Sequence, residues 1–260
     1  MQFSTLFSGS SGNALYIETE QGSILVDAGL SGIKIERALK SIGRSVDKLG
    51  AIMVTHEHRD HTCGVGVLSR RFNLPIYATE NTWEAMECSI GKIAGINAMC
   101  IRSDERLIVG DLHIDVFSTS HDAADPCSFV FSQGKERLGL LTDTGCLTER
   151  MGQFLTGCRT LIIESNHDRG MLLDGPYPWH LKERIRGEQG HLSNDDAADA
   201  LRRFATTDTS QVVLAHLSAE NNLPQLALDN AAKVLRDIGL KDAKLSLAPR
   251  YQPLPLAQVG

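Results

Sequence analysis

No long apolar run occurs in this sequence of 260 residues. A membrane helix needs about 18 or more consecutive apolar residues, so the sequence predicts no transmembrane span. The first five residues, MQFST, also lack the basic flank and apolar core of a secretory signal peptide. These absences predict a cytoplasmic protein without a membrane partner.

Closely spaced cysteines are absent as well. The six cysteines are scattered at positions 63, 88, 100, 127, 146 and 158, and none forms a C-x-x-C pair. A chain of this length buries enough apolar surface to fold without disulfide bonds. The sequence therefore predicts reduced thiols and a single domain over residues 1–260.

A surplus of positive charge is also missing, because the formal net charge is −6. A broad basic surface is the usual mark of a protein that binds nucleic acid, and this composition opposes it. One local segment is basic, because Lys182, Arg184 and Arg186 lie close together in HLKERIR at 180–186. These three residues are predicted to form a basic rim that binds substrate. The alternative is an amphipathic helix whose charges are only solvated.

Histidine is scarce, but three of the nine histidines fall in THEHRDH at 55–61, directly after the apolar run AIMV. The apolar run predicts a buried strand, and imidazole and carboxylate groups at its end are suitable ligands for Zn²⁺, Mn²⁺ or Fe²⁺. His56 and His58 are two apart, so in an extended segment they point the same way and can bind one ion. Asp60 and His61 lie where the chain should turn into a helix and are better placed for a second ion.

Three later strand ends also carry ligand types. His121 follows the apolar alternation at 112–117, Asp143 follows 138–141, and His216 follows 211–215. In layered α/β folds, sites gather at the carboxyl ends of strands. Each residue alone is typical of a turn, but the four strand ends together predict a metal centre.

The remaining periodicity predicts an α/β protein. Strands are predicted over 3–8, 14–19, 23–27, 51–55, 107–109, 112–118, 127–133, 137–142, 160–164 and 211–215. Helices are predicted over 33–42, 62–72, 81–86, within 170–187, over 194–204 with Ser193 or Asn194 as the cap, and over 224–238.

Taken together, these motifs resemble the metallo-β-lactamase fold in its two-metal form, and more narrowly its YycJ/WalJ-like branch. The narrower resemblance rests on FSGSSGN at 7–13, TSHDA at 119–123, ESNHD at 164–168, GPYP at 175–178, GHLSN at 190–194 and HLSAENN at 216–222. It implies an αββα sandwich of two facing mixed sheets with helices outside. Members of this branch are associated with 5′→3′ DNA exonuclease activity, and related branches include tRNA 3′-processing endonucleases and small phosphodiesterases.

The resemblance also implies roles for individual residues. It assigns His56, His58 and His121 to a first metal, Asp60, His61 and His216 to a second, and Asp143 to both. It implies that Asp27 supports a ligand from behind, that Asp60, Glu164 and His191 act in catalysis, and that His167 binds substrate. His191 would contact the scissile phosphate and protonate the leaving oxygen while Glu164 orients it. The alternative for His191 is a residue making local hydrogen bonds before a helix.

The predicted function is therefore a dinuclear metal-dependent phosphodiester hydrolase, and specifically a DNA exonuclease. Two ions, Zn²⁺ or Mn²⁺ with Fe²⁺ also suitable, would activate a bridging hydroxide as the nucleophile. DNA is favoured over RNA as substrate, and the oligomeric state is left open. The alternatives are a small-molecule phosphodiesterase or glyoxalase-II-like thioesterase of the same fold, and a metal-stabilised regulatory protein without activity.

Overall fold

A computed structural model describes all 260 residues, from Met1 to Gly260, and contains two seven-stranded sheets. The strands of the first sheet are β1 (Gln2–Phe7), β2 (Ala14–Glu18), β3 (Ser23–Val26), β4 (Leu49–Met53), β5 (Ile76–Thr79), β6 (Ala98–Ile101) and β14 (Ala257–Gln258). Their order is β14-β1-β2-β3-β4-β5-β6. The hairpins of β1, β2 and β3 pair antiparallel, and β3 to β6 pair parallel, so the sheet is mixed.

The second sheet is also mixed. Its strands are β7 (Arg106–Val109), β8 (Leu112–Ser118), β9 (Cys127–Gln133), β10 (Glu136–Leu141), β11 (Thr160–Glu164), β12 (Gln211–Ala215) and β13 (Lys244–Leu247). Their order is β13-β12-β11-β10-β9-β8-β7. The β10 to β13 strands run parallel, whereas β7 with β8 and β9 with β10 form antiparallel hairpins.

Nine α-helices accompany the sheets. They are α1 (Gly32–Ser41), α2 (Arg59–Thr62), α3 (Val65–Phe72), α4 (Glu80–Ile90), α5 (Glu149–Leu155), α6 (Arg169–Asp174), α7 (Trp179–Arg186), α8 (Asn194–Phe204) and α9 (Pro224–Asp237). None of these helices combines the length and the apolarity that crossing a bilayer requires. The predicted α/β class with two mixed sheets is confirmed.

The helix predicted over 62–72 is interrupted in the structure, where α2 and α3 are separate elements. Gly64 lies between them, and its N–H donates to the carbonyl of Ala28 at 2.7 Å. A Cβ at this position would lie 2.3 Å from the carbonyl oxygen of Leu30. The close backbone approach therefore requires glycine, and it sets α3 apart from the short turn that carries Asp60 and His61.

Helix α8 shows how sequence determines a local element here. Ser193 accepts a hydrogen bond from the N–H of Asp196, and the Asp196 carboxylate accepts from the N–H of Ser193 in return. This reciprocal cap satisfies N–H groups that have no partner inside the helix. The predicted cap at Ser193 is confirmed. Leu201 and Phe204 are among the residues that the helix buries.

The chain divides into two compact units. Unit 1 comprises residues 1–118, 123–127 and 249–258, and unit 2 comprises residues 119–122, 128–248 and 259–260. Unit 1 has its core between its sheet and helices α1 and α3, with Leu25, Ile35 and Leu68 buried. In unit 2, β11 and β12 are buried along their whole length. The single domain predicted over 1–260 stays a prediction.

Candidate active site

Unit 1 presents the predicted ligands of the THEHRDH motif directly after the buried strand β4. The Nε2 atom of His56 lies 3.1 Å from the Nδ1 atom of His58. Two nitrogens bound to one tetrahedral zinc at about 2.0–2.1 Å are about 3.3 Å apart. The His56 ring is buried and the His58 ring is half-buried. Their spacing and chemistry therefore suit two ligands of a single divalent ion.

Asp27 lies behind these ligands at the end of β3. Its Oδ2 atom lies 2.8 Å from Nδ1 of His61 and accepts from the hydroxyl of Thr55 at 2.9 Å. Its Oδ1 atom accepts from the backbone N–H of Thr55 at 2.9 Å. The tautomer of His61 that donates from Nδ1 keeps its lone pair on Nε2, which is the arrangement that a metal-binding imidazole needs. This geometry is what the predicted supporting role of Asp27 requires.

The FSGSSGN loop is tied to the same motif. The backbone N–H of Asn13 donates to the carbonyl of Asp60 at 2.8 Å, and its side-chain Nδ2 lies 3.0 Å from Nε2 of His61. Gly29 packs against this loop so closely that a Cβ there would lie 1.6 Å from the carbonyl oxygen of Asp60. Neither Asn13 nor Gly29 is among the predicted site residues. Contacts of this kind join residues far apart in the chain, and no local pattern marks them.

Unit 2 carries His121, Asp143 and His216, each just beyond the end of a strand. Asp143 and His216 both have φ of 56°, and Asp27 in unit 1 has φ of 58°. Only five residues other than glycine have positive φ in the chain, so three of the five are predicted site residues. Such a conformation costs about 1–3 kcal/mol at each residue and persists only where the surroundings enforce it.

Glu164 is the centre of the hydrogen bonding in unit 2. Its Oε1 atom accepts from Nδ1 of His191 and from Nδ1 of His216, both at 2.8 Å. Its Oε2 atom accepts from the N–H of Leu192 at 3.2 Å and from the N–H of Thr144 at 3.3 Å. Burial alone would raise the pKa of Glu164, but His191 and His216 hold this pKa well below its ordinary value. Glu164 is therefore a carboxylate in the folded chain.

This arrangement decides what Glu164 does. Ligand atoms of Asp143, Glu164, His191 and His216 lie within 4.8 Å of one another, so by distance alone the four could bind an ion. However, both imidazoles direct Nδ1 at Glu164, and a donating Nδ1–H cannot also bind a metal. We therefore interpret Glu164 as the acceptor that orients His191 and His216 and leaves both Nε2 lone pairs for other partners.

His121 is also oriented by a hydrogen bond through Nδ1. Its Nδ1 atom lies 3.1 Å from the carbonyl oxygen of Gly190, and the neutral tautomer that donates there carries its lone pair on Nε2. Burial lowers the pKa of His121, which keeps the ring neutral and competent as a ligand. The Nε2 atom lies 3.9 Å from Oδ1 of Asp143. The donor set of unit 2 thus also fits a divalent cation.

A buried amide network joins the three loops that carry His191, His216 and Glu164. The side chains of Asn194 and Asn222 donate to each other at 2.9 Å. The hydroxyl of Ser165 donates to Oδ1 of Asn194 at 2.7 Å, and Nδ2 of Asn166 donates to the carbonyl of His216 at 2.9 Å. Motifs ESNHD, GHLSN and HLSAENN therefore have a structural reason to occur together.

The predicted substrate-binding residues lie in different environments. Lys182 is only 8% exposed, and its ammonium donates to the carbonyl of Leu173 at 2.6 Å. Arg184 forms an ion pair with Asp122. Of the three predicted rim residues, Lys182 is buried on the inner face of α7 and Arg184 is paired with a carboxylate, whereas Arg186 is exposed. Substrate binding by these three residues stays a prediction.

His167 lies beside His191 in unit 2. A cavity of about 240 Å³ is lined by His167, Arg169, Leu172, Leu173, Arg186, His191 and Asp196. His167 is 2% exposed, and burial lowers its pKa to about 4. The structure thus places two predicted site residues, His167 and Arg186, in one cavity with the predicted catalytic histidine.

A larger cavity of about 770 Å³ lies elsewhere in unit 1, beside helix α4. Three carboxylates, Glu80, Glu84 and Glu87, line it with Lys92 as the one cationic residue. None of the predicted metal ligands borders this cavity. Its negative charge opposes phosphate binding, so size alone does not identify the active site.

Comparison with known proteins defines the class. Residues 23–217 match the beta-lactamase superfamily domain. The chain belongs to this family, and it is a hydrolase with the metallo-β-lactamase fold and with His and Asp clusters suited to divalent metal ions.

Within the family, the chain is 42% identical to exodeoxyribonuclease YycJ of Bacillus anthracis over 92% of this chain and 90% of that protein. It is 44% identical to exodeoxyribonuclease WalJ of Streptococcus pneumoniae serotype 2 (strain D39) over 87% of this chain and 85% of that protein. The crystal structure of YhfI from Bacillus subtilis, a metallo-β-lactamase fold protein, superposes with a TM-score of 0.72 at 17% identity over 97% of this chain and 98% of that one. The predicted family and fold are therefore confirmed.

Proposed function

We propose that this protein is a dinuclear metal-dependent exonuclease that removes nucleotides from DNA in the 5′→3′ direction. The substrate class is supported by two relatives named exodeoxyribonucleases, which match along most of their length. The chemistry is supported by one structural observation above all. The Glu164 carboxylate accepts from both His191 and His216 at 2.8 Å. This contact orients His216 for its proposed role as a ligand and His191 for contact with the substrate.

The proposed metal ligands are neutral imidazoles and carboxylates. We assign His56, His58 and His121 to one ion, Asp60, His61 and His216 to the other, and Asp143 to both, as the family resemblance implies. The donors suit Zn²⁺, Mn²⁺ or Fe²⁺. Such ions supply the Lewis acidity that polarises a phosphate and acidifies the attacking water.

His191 is proposed to act on the leaving oxygen. Its side chain is 21% exposed, so substrate can reach it, whereas Glu164 is fully buried behind it. In the doubly protonated ring, Nδ1–H donates to Glu164 and Nε2–H faces the substrate. Transfer of the Nε2 proton to the departing 3′ oxygen would remove the cost of expelling an alkoxide. Glu164 orients the ring and compensates its charge throughout.

The test of the proposed function is digestion of single- and double-stranded DNA and RNA labelled at the 5′ or the 3′ end. The protein is stripped with chelator and then supplied with Mn²⁺ or Zn²⁺. We expect mononucleotides to be released from the 5′ end of DNA only when metal is restored. Release from the 3′ end, or internal cleavage, would contradict the direction. Failure to cut any nucleic acid with either metal would contradict the substrate class.

The role of His191 gives a sharper prediction. His191→Ala should slow DNA cleavage by roughly 10²–10⁴-fold, the usual effect of losing a general acid. It should slow cleavage of p-nitrophenyl diesters less, because their leaving group needs no proton. His113→Ala removes an exposed histidine of β8 and serves as the control. Equal losses on both substrates would argue against an acid, and loss of metal by elemental analysis would make His191 a ligand.

A second candidate is a small-molecule phosphodiesterase. The net charge of −6, the hydrogen bond of Lys182 to Leu173 and the ion pair of Arg184 with Asp122 favour a substrate with few phosphates. A screen with bis-p-nitrophenyl phosphate and S-lactoylglutathione beside DNA separates this candidate and the thioesterase from the exonuclease. A regulatory protein without activity would cleave none of them.

We also propose a cytoplasmic location, which the exposed free thiols of Cys63, Cys88 and Cys100 support.

A further inference from the structure

Most of the residues that line the cavity beside His191 have no role in the proposed mechanism. We propose that it is a nucleobase pocket, which receives the unpaired base of the terminal nucleotide before that nucleotide is released. This inference rests on the proposed exonuclease function and adds a requirement to it, because the end of the DNA must unpair before cleavage.

The position of the cavity agrees with the chemistry of 5′→3′ cleavage. Water attacks the first internal phosphorus, a new P–O bond forms, and the bond from phosphorus to the 3′ oxygen of the terminal nucleotide breaks. One proton of the water passes to solvent, and the leaving 3′ oxygen takes a proton from His191. The terminal nucleotide is therefore on the leaving side, next to His191, and His191 lines the cavity.

The size of the cavity limits what can enter. Its volume of about 240 Å³ lies below the ~300–1,000 Å³ of sites for drug-sized ligands. A base pair is too large for it, but a single base with part of its sugar is not. Removing a base from its stack costs only a few kcal/mol and costs least at a single-stranded position. The cavity therefore favours DNA whose end is already unpaired.

The lining matches a base in its hydrogen-bonding groups and its apolar surface. Leu172 and Leu173 form an apolar wall. His167 also lines the cavity and is only 2% exposed, so it closes the wall of the pocket. Arg169, Arg186 and Asp196 supply polar groups on the lining, and the edge of a base offers donors and acceptors for them.

The lining carries charges of both signs. Asp196 lines the cavity and pairs with Arg169, whose Nη2 atom lies 2.8 Å from Oδ1 of Asp196. Arg186 is the remaining cationic side chain, so the lining keeps a net positive charge that a phosphate would also satisfy. The size and the apolar wall of the cavity, and not its charge, therefore favour a base.

An exposed aromatic residue stands next to the cavity. The guanidinium carbon of Arg186 lies 5.6 Å from the ring centroid of Trp179, which is 56% exposed. An exposed aromatic ring beside arginine is the arrangement on which proteins stack unpaired bases without sequence preference. Trp179 thus contacts one residue of the cavity lining, and we place it as the outer stacking surface of the proposed pocket.

Direct binding tests the pocket without any requirement for catalysis. The chain has two tryptophans, so Trp83→Phe leaves Trp179 as the only fluorescent indole. We expect deoxyadenosine monophosphate to quench Trp179, and deoxyribose 5-phosphate to leave it unchanged. Equal quenching by both would identify a phosphate site and overturn the inference. No quenching by either would also overturn it.

Cleavage supplies the second test. Wild-type protein should cut a single strand with an intact 5′ nucleotide about 5–150-fold more efficiently, in kcat/KM, than one with an abasic 5′ residue, the range expected for one stacked base. Trp179→Ala should reduce this ratio, and Trp83→Ala, the matched control at the other tryptophan, should preserve it. DNA that is cut equally well with and without the terminal base contradicts the pocket and leaves the exonuclease intact. Absence of any DNA cleavage contradicts the exonuclease itself.

Discussion

Replacing Glu164 by glutamine is the most discriminating perturbation of this site. The change keeps the size of the side chain and removes one oxygen acceptor and the negative charge. Four N–H groups converge on the Glu164 carboxylate, from His191, His216, Thr144 and Leu192. A glutamine amide offers one acceptor oxygen and one NH₂ group. If the NH₂ group faces Thr144 and Leu192, two backbone N–H donors face another donor. If it faces His191 and His216, both rings must change tautomer, which moves their proton to Nε2 and removes the lone pair that a metal needs.

The size of the effect follows from this count. A buried donor left without a partner costs about 1–3 kcal/mol, so two such donors cost about 2–6 kcal/mol. Breaking a buried charge pair by removing one partner costs about 3–5 kcal/mol, which is consistent with the first range. We therefore expect Glu164→Gln to lower the free energy of unfolding by about 3–5 kcal/mol. Loss of an outer partner of a ligand also lowers metal affinity by about 10–100-fold.

Two measurements check this prediction. Urea denaturation of metal-free protein gives the change in free energy of unfolding, and calorimetric titration with Zn²⁺ gives the change in affinity. Glu36→Gln is the control, because Glu36 pairs with Arg71 at the surface, where an ion pair contributes about 0–1 kcal/mol. A Glu164→Gln protein that is as stable as the control and binds zinc as tightly as wild type would refute the role assigned to Glu164.

Three further predictions concern other parts of the chain. Gly29→Ala should displace the loop of Asp60 and lower the zinc affinity that calorimetry measures. Gly22→Ala is the control, because Gly22 has open space around it, and it should leave the affinity unchanged. Equal affinities of the two variants would refute the close approach of Gly29 to Asp60. Burial raises the pKa of Tyr16 to about 12, so the folded chain keeps a proton that the unfolded chain loses above pH ~10. Urea titrations should therefore show that wild type loses about 2 kcal/mol more stability than Tyr16→Phe between pH 10 and 12, and parallel curves would refute it. Asp143→Ala should reduce metal content toward zero from near two ions per chain by elemental analysis, and unchanged content would remove Asp143 from the ligand set.

The elements that carry the site were predictable because their apolar runs are long and end in polar residues. Four short strands lie outside the predicted elements, namely β5, β6, β13 and β14, which contain four residues or fewer. Three of them pair in parallel with strands that are distant in sequence, and β14 pairs antiparallel with β1 at the other end of the chain. The strands β3 and β7 are equally short, but each forms a hairpin with a neighbour in sequence. Where no such neighbour exists, tertiary pairing decides the conformation of a short segment.

The basic rim shows a different kind of limit. Counting charges over 180–186 gave three cationic residues, but their directions on α7 decide what they can bind. Arg186 follows Lys182 by four residues, so a helical wheel places both on one side of α7 and does not distinguish the buried Lys182 from the exposed Arg186. The pairing of Arg184 with Asp122, 62 residues away, has no signal in the sequence either.

The supports of the predicted ligands could not be found from sequence for the same physical reason. Thr55 and Asp27 are 28 residues apart, Asn166 and His216 are 50 apart, and Glu164 and His216 are 52 apart. Each partner is an ordinary polar residue near the end of a strand, and only the parallel order of strands brings them together. The predicted ligands stand out in the sequence because their type and spacing are unusual.

His216 shows how these supports act together. Its backbone is left-handed, with φ of 56°, which is uncommon for histidine and costs about 1–3 kcal/mol. Asn166 fixes its carbonyl, and Glu164 fixes its ring through Nδ1. Both the backbone and the side chain are therefore constrained from within unit 2 before any ion binds. Because folding offsets the strain, the His216 side chain is already oriented, and if it binds a metal as proposed, no reorganisation of this residue is needed.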